Sequence, residues 1–255
     1  MKFKDKVAVV TGGAGGIGRA SALAFAREGA AVSVIDIEEG NSVTEEIRSD
    51  GGTSIFLKTD LSSAAGCKNA VQETASALGG IDYLANNAGI LFMGSAEETS
   101  EDDWQHVINI NLSSLFWMSK YVIPEMRARG GGAIVNVASI HGYQTHQRMV
   151  AYCTTKTAIL GLTRAMAIDH GHENIRVNAV CPGAIDTPMF RKAISGEEDP
   201  EAVRNVWANA ALVKRVGQPE DIAETVLFLC SDQASFIAGQ SYLVDGGVSC
   251  DLQVQ

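Results

Sequence analysis

Seven short apolar runs, separated by longer stretches of helical pattern, constrain this 255-residue chain more than any other feature. Each run is nearly continuous in apolar residues, which is typical of a strand buried on both faces of a sheet. Regular alternation of such strands with helices predicts an α/β fold, a doubly wound parallel sheet with helices on both faces. The predicted strands are Lys6–Thr11, Ala31–Asp36, Ser54–Thr59, Tyr83–Asn86, Ala133–Ser139, Arg176–Cys181 and Gln240–Val244. The predicted helices are Gly18–Glu28, Val43–Ser49, Cys67–Leu78, Asp102–Arg129, Tyr152–Asp169 and Pro219–Cys230.

The composition indicates one domain over residues 1–255 that acts on a small molecule. No Ser/Pro-rich linker or repeat interrupts the pattern, and 46% hydrophobic residues can fill one large core. A formal net charge of −10 argues against nucleic acid or an anionic membrane as a partner, because both would be repelled. No run of about 18 apolar residues predicts a membrane span. The charged first six residues lack the apolar stretch of a signal peptide, so we expect a cytoplasmic protein.

The five cysteines do not predict a disulfide framework or a metal site. Their number is odd, and no CxxC pair occurs. Reduced and mostly buried thiols are therefore expected. Cys153 stands beside Tyr152 in the sequence, and whether it has a redox role stays open.

A glycine-rich turn joins the first predicted strand to the first predicted helix, as Thr11-Gly-Gly-Ala-Gly-Gly-Ile-Gly18. Glycines allow the backbone to approach a pyrophosphate closely, and the free N–H groups at the helix start attract its charge. A flexible turn without function is the alternative, but the strand–glycine–helix context favours a Rossmann-type dinucleotide site. The predicted phosphate-binding residues are Gly12, Gly15, Gly16, Ile17 and Gly18.

Asp36 ends the second predicted strand, 18 residues beyond Gly18. A carboxylate at this point can accept hydrogen bonds from both adenosine ribose hydroxyls, and it would repel a 2′-phosphate. No basic residue occupies positions 13–15, and Ile37 follows Asp36. These residues predict NAD rather than NADP as the cofactor.

Five motifs in register resemble the short-chain dehydrogenase/reductase family. They are Thr11–Gly18, Asn86-Asn-Ala-Gly89, Ser139, Tyr152-x-x-x-Lys156 and Pro182-Gly183, and the likeness extends from Lys6 to Asp245-Gly-Gly247. The resemblance implies an adenine contact by Asp60 and Leu61, and a cofactor cleft lined by Asn87, Ala88 and Gly89. It also implies that Pro182, Gly183, Ile185 and Thr187 hold the nicotinamide carboxamide. It further suggests a homotetramer built through the helices Asp102–Arg129 and Tyr152–Asp169.

The resemblance implies a catalytic set of Asn111, Ser139, Tyr152 and Lys156. Ser139 would hydrogen-bond the reacting oxygen, and Asn111 would hold a water that links Lys156 to solvent. Tyr152 and Lys156 are four residues apart, so they project from one face of a helix. An unperturbed tyrosine has a pKa of about 10. A nearby ammonium group and the positive nicotinamide ring are expected to lower it, which would let Tyr152 act as the proton-transfer residue.

The sequence indicates the substrate less clearly than it indicates the cofactor. The stretch after Ser139 is polar, and one hypothesis is that Arg148, with His141 or His146, binds a sugar, polyol or hydroxy acid beside Ser139 and Tyr152. The alternative is that these side chains face solvent or a subunit interface. Residues 186–212, in which Ile194–Asn209 has the pattern of a loop and a short helix, are expected to form a lid.

Three functions follow as hypotheses. The leading one is an NAD-dependent dehydrogenase of a secondary alcohol, with the polar substrates above preferred. The first alternative is a reductase of ketones or 3-oxoacyl thioesters. The second is a regulatory protein that binds NAD without catalysis, because a fold alone does not fix a function. The intact Ser139, Tyr152 and Lys156 set argues against the last one.

Overall fold

The computed structural model describes residues 1–250, and its centre is one parallel sheet of seven strands. The strands are β1 (Val7–Thr11), β2 (Ala31–Asp36), β3 (Ser54–Lys58), β4 (Tyr83–Asn86), β5 (Gly132–Val137), β6 (Ile175–Pro182) and β7 (Ser241–Val244). Their order across the sheet is β3-β2-β1-β4-β5-β6-β7, and every neighbouring pair is parallel. The predicted doubly wound α/β fold is confirmed.

The helices cover both faces of this sheet. They are α1 (Gly16–Arg27), α2 (Asn41–Ser49), α3 (Ala64–Leu78), α4 (Glu101–Ile108), α5 (Ser114–Ala128), α6 (Val150–His170), α7 (Pro188–Ile194), α8 (Pro200–Ala210) and α9 (Pro219–Cys230). Helices α1, α2 and α9 pack on one face, and α3, α5 and α6 pack on the other. None of the helices within residues 1–250 combines the length and hydropathy needed to span a bilayer.

The central strands are apolar because each of them contributes to both cores. Val10 belongs to the core on the α1 face, and its neighbour Val9 belongs to the core on the α3 face. All five residues of β1 are buried, which follows from the alternation of side chains across a strand that is covered on both sides. The strand order reverses between β1 and β4, so a crevice opens beyond their carboxyl ends.

The predicted helix Asp102–Arg129 is divided in the structure. A five-residue π-helical segment, Asn109–Ser113, separates α4 from α5. A π turn inserts one extra residue into the helical ladder, which the spacing of apolar residues does not reveal. The segment carries Asn111, whose amide group hydrogen-bonds both the N–H and the carbonyl of Ile90.

Two other boundaries differ from the prediction. Strand β5 ends at Val137, so Ser139 lies in the loop beyond it. The predicted lid contains an unpredicted helix, α7, before its predicted short helix, α8. Both helices begin with proline, at a position where a backbone N–H group would have no partner within the helix. The side chains of Thr187 and Asp199 cap the two helices by accepting hydrogen bonds from backbone N–H groups of the first turns.

Candidate active site

A cavity of about 590 Å³ lies along the carboxyl ends of β1, β2, β4, β5 and β6. It runs from Asp36, past the glycine turn, to Tyr152 and the lid helices. The volume is in the range of ordinary ligand pockets. Every predicted cofactor residue except Gly18 borders it. Among the other predicted site residues in the described chain, Ser139 and His141 border it with Tyr152 and Lys156, whereas Asn111, His146 and Arg148 do not.

The glycine turn exposes its backbone to the cavity, because the glycines carry no side chains. Gly12 and Gly16 have φ values of +62° and +51°, which L side chains rarely adopt. Gly15 precedes the first turn of α1, and no side chain caps that turn. The free N–H groups and the dipole of α1 therefore fit a pyrophosphate.

Gly18 has a different role from the one predicted. A Cβ atom at Gly18 would lie 2.0 Å from the Gly12 carbonyl oxygen and 2.7 Å from the Asn87 amide nitrogen. The absence of a side chain thus allows α1 to pack against the turn, instead of contacting the cavity.

Thr11 and Asn87 hold this turn against the end of β4. The Thr11 hydroxyl accepts hydrogen bonds from the N–H groups of Asn87 and Ala88, at 3.0 and 3.1 Å. The Asn87 amide donates to the carbonyls of Thr11 and Gly12, both at 3.1 Å. The cofactor side of the cavity is therefore fixed by a closed hydrogen-bond network.

Asp36 stands at the end of β2, where a ribose would lie if the pyrophosphate sits on α1. Its carboxylate accepts hydrogen bonds from the N–H groups of Ala14 and Glu38, at 2.9 and 3.1 Å. Glu38 and Glu39 also border this end of the cavity. Arg19, the basic residue next to the glycine turn, pairs with Glu46 of α2. The charge at this end of the cavity is predominantly negative.

Ser139, Tyr152 and Lys156 converge at the other end. The Lys156 ammonium nitrogen lies 5.5 Å from the centre of the Tyr152 ring and donates a hydrogen bond of 3.0 Å to the Val137 carbonyl. Tyr152 and Lys156 are both buried, on α6. The Ser139 hydroxyl accepts a hydrogen bond from the backbone N–H of His141, and this bond fixes the loop that follows β5.

Burial controls the proton affinities of this group. It raises the pKa of Tyr152 to about 12, against the opposing effect of the Ser139 hydroxyl. It lowers the pKa of Lys156 to about 8, because the charged ammonium is taken out of water. In the protein by itself, desolvation of the phenolate thus outweighs the hydrogen bond from Ser139. The lowering of the Tyr152 pKa that is expected with the nicotinamide ring in place stays a prediction.

Asn111 lies beside the ammonium group without contacting the cavity. A Cβ atom on Gly89 would be 3.3 Å from the Asn111 side-chain oxygen and 3.6 Å from the Lys156 nitrogen, so both groups lie next to Gly89. The Asn111 amide also lies 3.5 Å from the Thr155 hydroxyl. Its hydrogen bonds to Ile90 secure a residue that borders the cavity. Its predicted part in a proton relay stays a prediction.

The three polar residues proposed for substrate binding have different surroundings. The His141 ring borders the cavity, with its centre 5.9 Å from that of Tyr152. The His146 ring lies edge-on between His141 and Trp207 of α8. Arg148 pairs with Glu98 at 2.6 Å, and both side chains are about half exposed. Of the three, the structure brings only His141 to the cavity.

The cavity wall also includes apolar residues that the sequence analysis did not name. Among them are Leu91, Met149, Phe190, Ile194 and Trp207. The last three come from α7 and α8, which Asp186 secures by pairing with Arg191 at 2.7 Å and with Arg204 at 2.9 Å. A search of the predicted lid for apolar residues on one helical face would have identified some of them.

Comparison with known proteins agrees with this geometry. A family model described as enoyl-(acyl carrier protein) reductase matches residues 12–249. A solved structure described as a short-chain dehydrogenase/reductase from Burkholderia xenovorans superposes with a TM-score of 0.94 at 33% identity, covering 99% of both chains. The chain belongs to the short-chain dehydrogenase/reductase family. Members of this family are oxidoreductases that bind a nicotinamide cofactor, NAD or NADP.

Two further relatives have names that state a substrate. A cyclohexanol dehydrogenase from an Acinetobacter species is 40% identical over 248 residues, which cover 96% of this chain and 95% of the relative. The ligand-free structure of an aldohexose dehydrogenase from Thermoplasma acidophilum has a TM-score of 0.92 at 34% identity, covering 99% of this chain and 97% of that one. Relatives of similar closeness thus act on an apolar alcohol and on a sugar.

Proposed function

We propose that this protein is an NAD-dependent dehydrogenase of compact secondary alcohols, with Tyr152 as its acid/base group. The observation that carries the proposal is the convergence of Ser139, Tyr152 and Lys156 at one end of a cavity whose other end is fitted to a dinucleotide. This arrangement supports catalysis over a purely regulatory role.

Each side chain has a distinct part in the proposed reaction. The bound nicotinamide ring supplies the hydride acceptor in oxidation and the hydride donor in reduction. Ser139 holds the reacting oxygen by a hydrogen bond, and Tyr152 removes the hydroxyl proton or returns it. Lys156, held by the Val137 carbonyl, keeps a positive charge near the phenolate and so lowers the energy of the deprotonated state.

The preference for NAD is supported by the charge around Asp36. The carboxylate is fixed by two backbone N–H groups, and Glu38 borders the same end of the cavity, where Glu39 is paired with Lys58. A 2′-phosphate would meet these negative charges with no free basic side chain from the glycine turn, because Arg19 is paired with Glu46. Ribose hydroxyls could instead donate to the Asp36 carboxylate.

The apolar wall supports an alcohol with a compact hydrocarbon body. Leu91, Met149 and Phe190 border the same cavity as Tyr152. An acidic substrate bound by Arg148 is less well supported, because that guanidinium group is paired with Glu98. The name of the Acinetobacter relative agrees with an apolar substrate. The proposed assembly is a homotetramer, supported by the exposure of Phe116 on α5 and Ile168 on α6.

A reductase of ketones or 3-oxoacyl thioesters is a second candidate. It is favoured by the description of the matching family model, which names a reductase of acyl carrier substrates. The same residues would serve, with Tyr152 donating its proton. Oxidation of NADH by an acetoacetyl thioester, faster than reduction of NAD by any alcohol, would favour this candidate.

The test is a spectrophotometric screen with NAD and NADP against cyclohexanol, aldohexoses and hydroxy acids. Turnover of cyclohexanol with NAD is expected, and the rate should rise with pH, because burial raises the pKa of Tyr152 and the reacting form of its side chain is deprotonated. Tyr152→Phe should lower kcat by about 10²–10⁴-fold. Tyr121→Phe removes a hydroxyl from α5, away from the cavity, and serves as the control. Full activity of Tyr152→Phe would overturn the assignment.

A further inference from the structure

His141 is a polar residue of the cavity wall whose ring lies close to Tyr152. The residue borders the cavity, and its ring lies edge-on to that of Tyr152, with 5.9 Å between the ring centres. The backbone N–H of the same residue donates to the Ser139 hydroxyl at 3.1 Å. His141 is therefore in contact with two residues of the proposed catalytic group.

The hydrogen-bond partner of the ring determines which nitrogen carries the proton. Nδ1 lies 3.3 Å from the Gln144 carbonyl oxygen. A carbonyl oxygen can only accept, so Nδ1 must donate, and in the neutral ring Nε2 then carries a free lone pair. Within residues 1–250, Nε2 has no hydrogen-bond partner from the protein.

The surroundings of the ring favour this neutral form. Burial lowers the pKa of His141, and the nearby His146 lowers it further. The aromatic contacts with His146 and Tyr152 are made by the ring as an apolar surface, and they hold it without using Nε2. His141 thus supplies an acceptor nitrogen in a residue that borders the cavity.

We propose that Nε2 of His141 accepts a hydrogen bond from a second hydroxyl group of the substrate, so that vicinal diols are preferred over the corresponding monoalcohols. This inference rests on the proposed function. The hydroxyl held by Ser139 and Tyr152 is oxidised to the ketone: its proton passes to Tyr152 and the hydride passes to NAD. The neighbouring hydroxyl donates to His141 and is not changed, so the product is a 2-hydroxy ketone.

Three matched probes test the direction of this hydrogen bond. They are cyclohexane-1,2-diol as its cis and trans isomers, cyclohexanol, and 2-methoxycyclohexanol, whose ether oxygen can accept but not donate. With NAD, we expect kcat/KM for at least one diol isomer to be about tenfold higher than for cyclohexanol. This is the factor that corresponds to one satisfied hydrogen bond. The methyl ether should show no such advantage. An equal advantage for the ether would overturn the proposal, because His141 would then be the donor.

Variants at the same position provide the second part of the test. In His141→Leu the ratio of diol to cyclohexanol activity should fall about tenfold, and His141→Gln, whose amide oxygen can accept near the position of Nε2, should recover part of it. The control His172→Leu makes the same replacement at an exposed site and should keep the wild-type ratio. Because the ratio compares two substrates on one protein, general damage to the fold does not move it.

The outcomes separate this inference from the proposed function. Turnover of cyclohexanol and the diols with the same ratio in the wild type and His141→Leu would overturn the role of His141 and leave the dehydrogenase assignment intact. Failure to oxidise any of the three alcohols with NAD would overturn the proposed function, and the inference with it.

Discussion

The two ends of the cavity are held together in different ways. At the cofactor end, backbone groups and buried side chains form a closed network, in which Thr11 and Asn87 connect the ends of β1 and β4. At the substrate end, α7 and α8 contain no buried residue, and the ion pairs of Asp186 with two arginines secure them. The geometry of the cofactor end therefore depends on the path of the backbone, and the geometry of the substrate end depends on side chains at the surface.

This difference indicates how much each end can vary. A dinucleotide bound by backbone N–H groups requires a fixed path of the chain, so a single added methyl group disturbs it. A wall made of side chains on exposed helices can be changed residue by residue at small cost to the sheet. The two relatives whose names give an apolar alcohol and a sugar fit this division.

The sharpest test of the cofactor end compares two glycines of the same turn. Gly18→Ala should lower the free energy of unfolding by roughly 1–3 kcal/mol, because its Cβ would clash with the Gly12 carbonyl oxygen at 2.0 Å. In Gly15→Ala, the only neighbour of the added Cβ atom is Pro188, at 3.9 Å, and the backbone at this position is extended, a conformation that any residue adopts. This variant should leave the melting temperature unchanged and weaken NAD binding roughly tenfold, since its methyl group enters the pyrophosphate position.

Calorimetric unfolding and titration with NAD distinguish the two glycine variants. A Gly15→Ala protein that binds NAD as tightly as the wild type would show that the pyrophosphate does not lie on the start of α1. A Gly18→Ala protein of unchanged stability would show that α1 can move away from the turn, and the cofactor end would then be less rigid than proposed.

The sequence predicts the cofactor end well because its determinants are local. The glycine turn, Asp36 and the Asn87–Gly89 segment each lie at the end of an apolar strand, and parallel strands bring such ends to one edge. Gly18 is the exception, because spacing alone cannot tell a glycine that faces a ligand from one that allows helix packing.

The substrate end was harder to predict because its contacts join distant parts of the chain. Arg148 pairs with Glu98, 50 residues away, so the guanidinium group that suggested an acidic substrate has a partner that the local sequence does not reveal. The apolar wall includes both Leu91 and Trp207, which lie far apart in the sequence. Asn111 in the π-helical segment bonds to Ile90, a contact that the local sequence also does not reveal.

Replacement of Asp36 tests whether electrostatics at the cofactor end sets the choice of cofactor. Asp36→Asn should shift the ratio of kcat/KM for NAD over NADP by roughly tenfold towards NADP, because one negative charge facing a 2′-phosphate is removed. Glu39→Gln is the matched control: its carboxylate is already paired with Lys58 at 2.5 Å, so a smaller shift is expected. Wild-type protein that prefers NADP would contradict the proposed role of Asp36.

The smallest effect is expected from Arg148→Ala, at the substrate end. The pair with Glu98 is about half exposed, and such pairs contribute about 0–1 kcal/mol to stability. The backbone of Arg148 pairs with Gly94 at 2.7 Å whatever the side chain, so the loop should keep its path. KM values for a hydroxy acid and for cyclohexanol should therefore change by less than about twofold, in the range of surface substitutions. A rise of KM for the hydroxy acid alone would mean that Arg148 leaves Glu98 to bind carboxylates, and the substrate wall would then be charged as well as apolar.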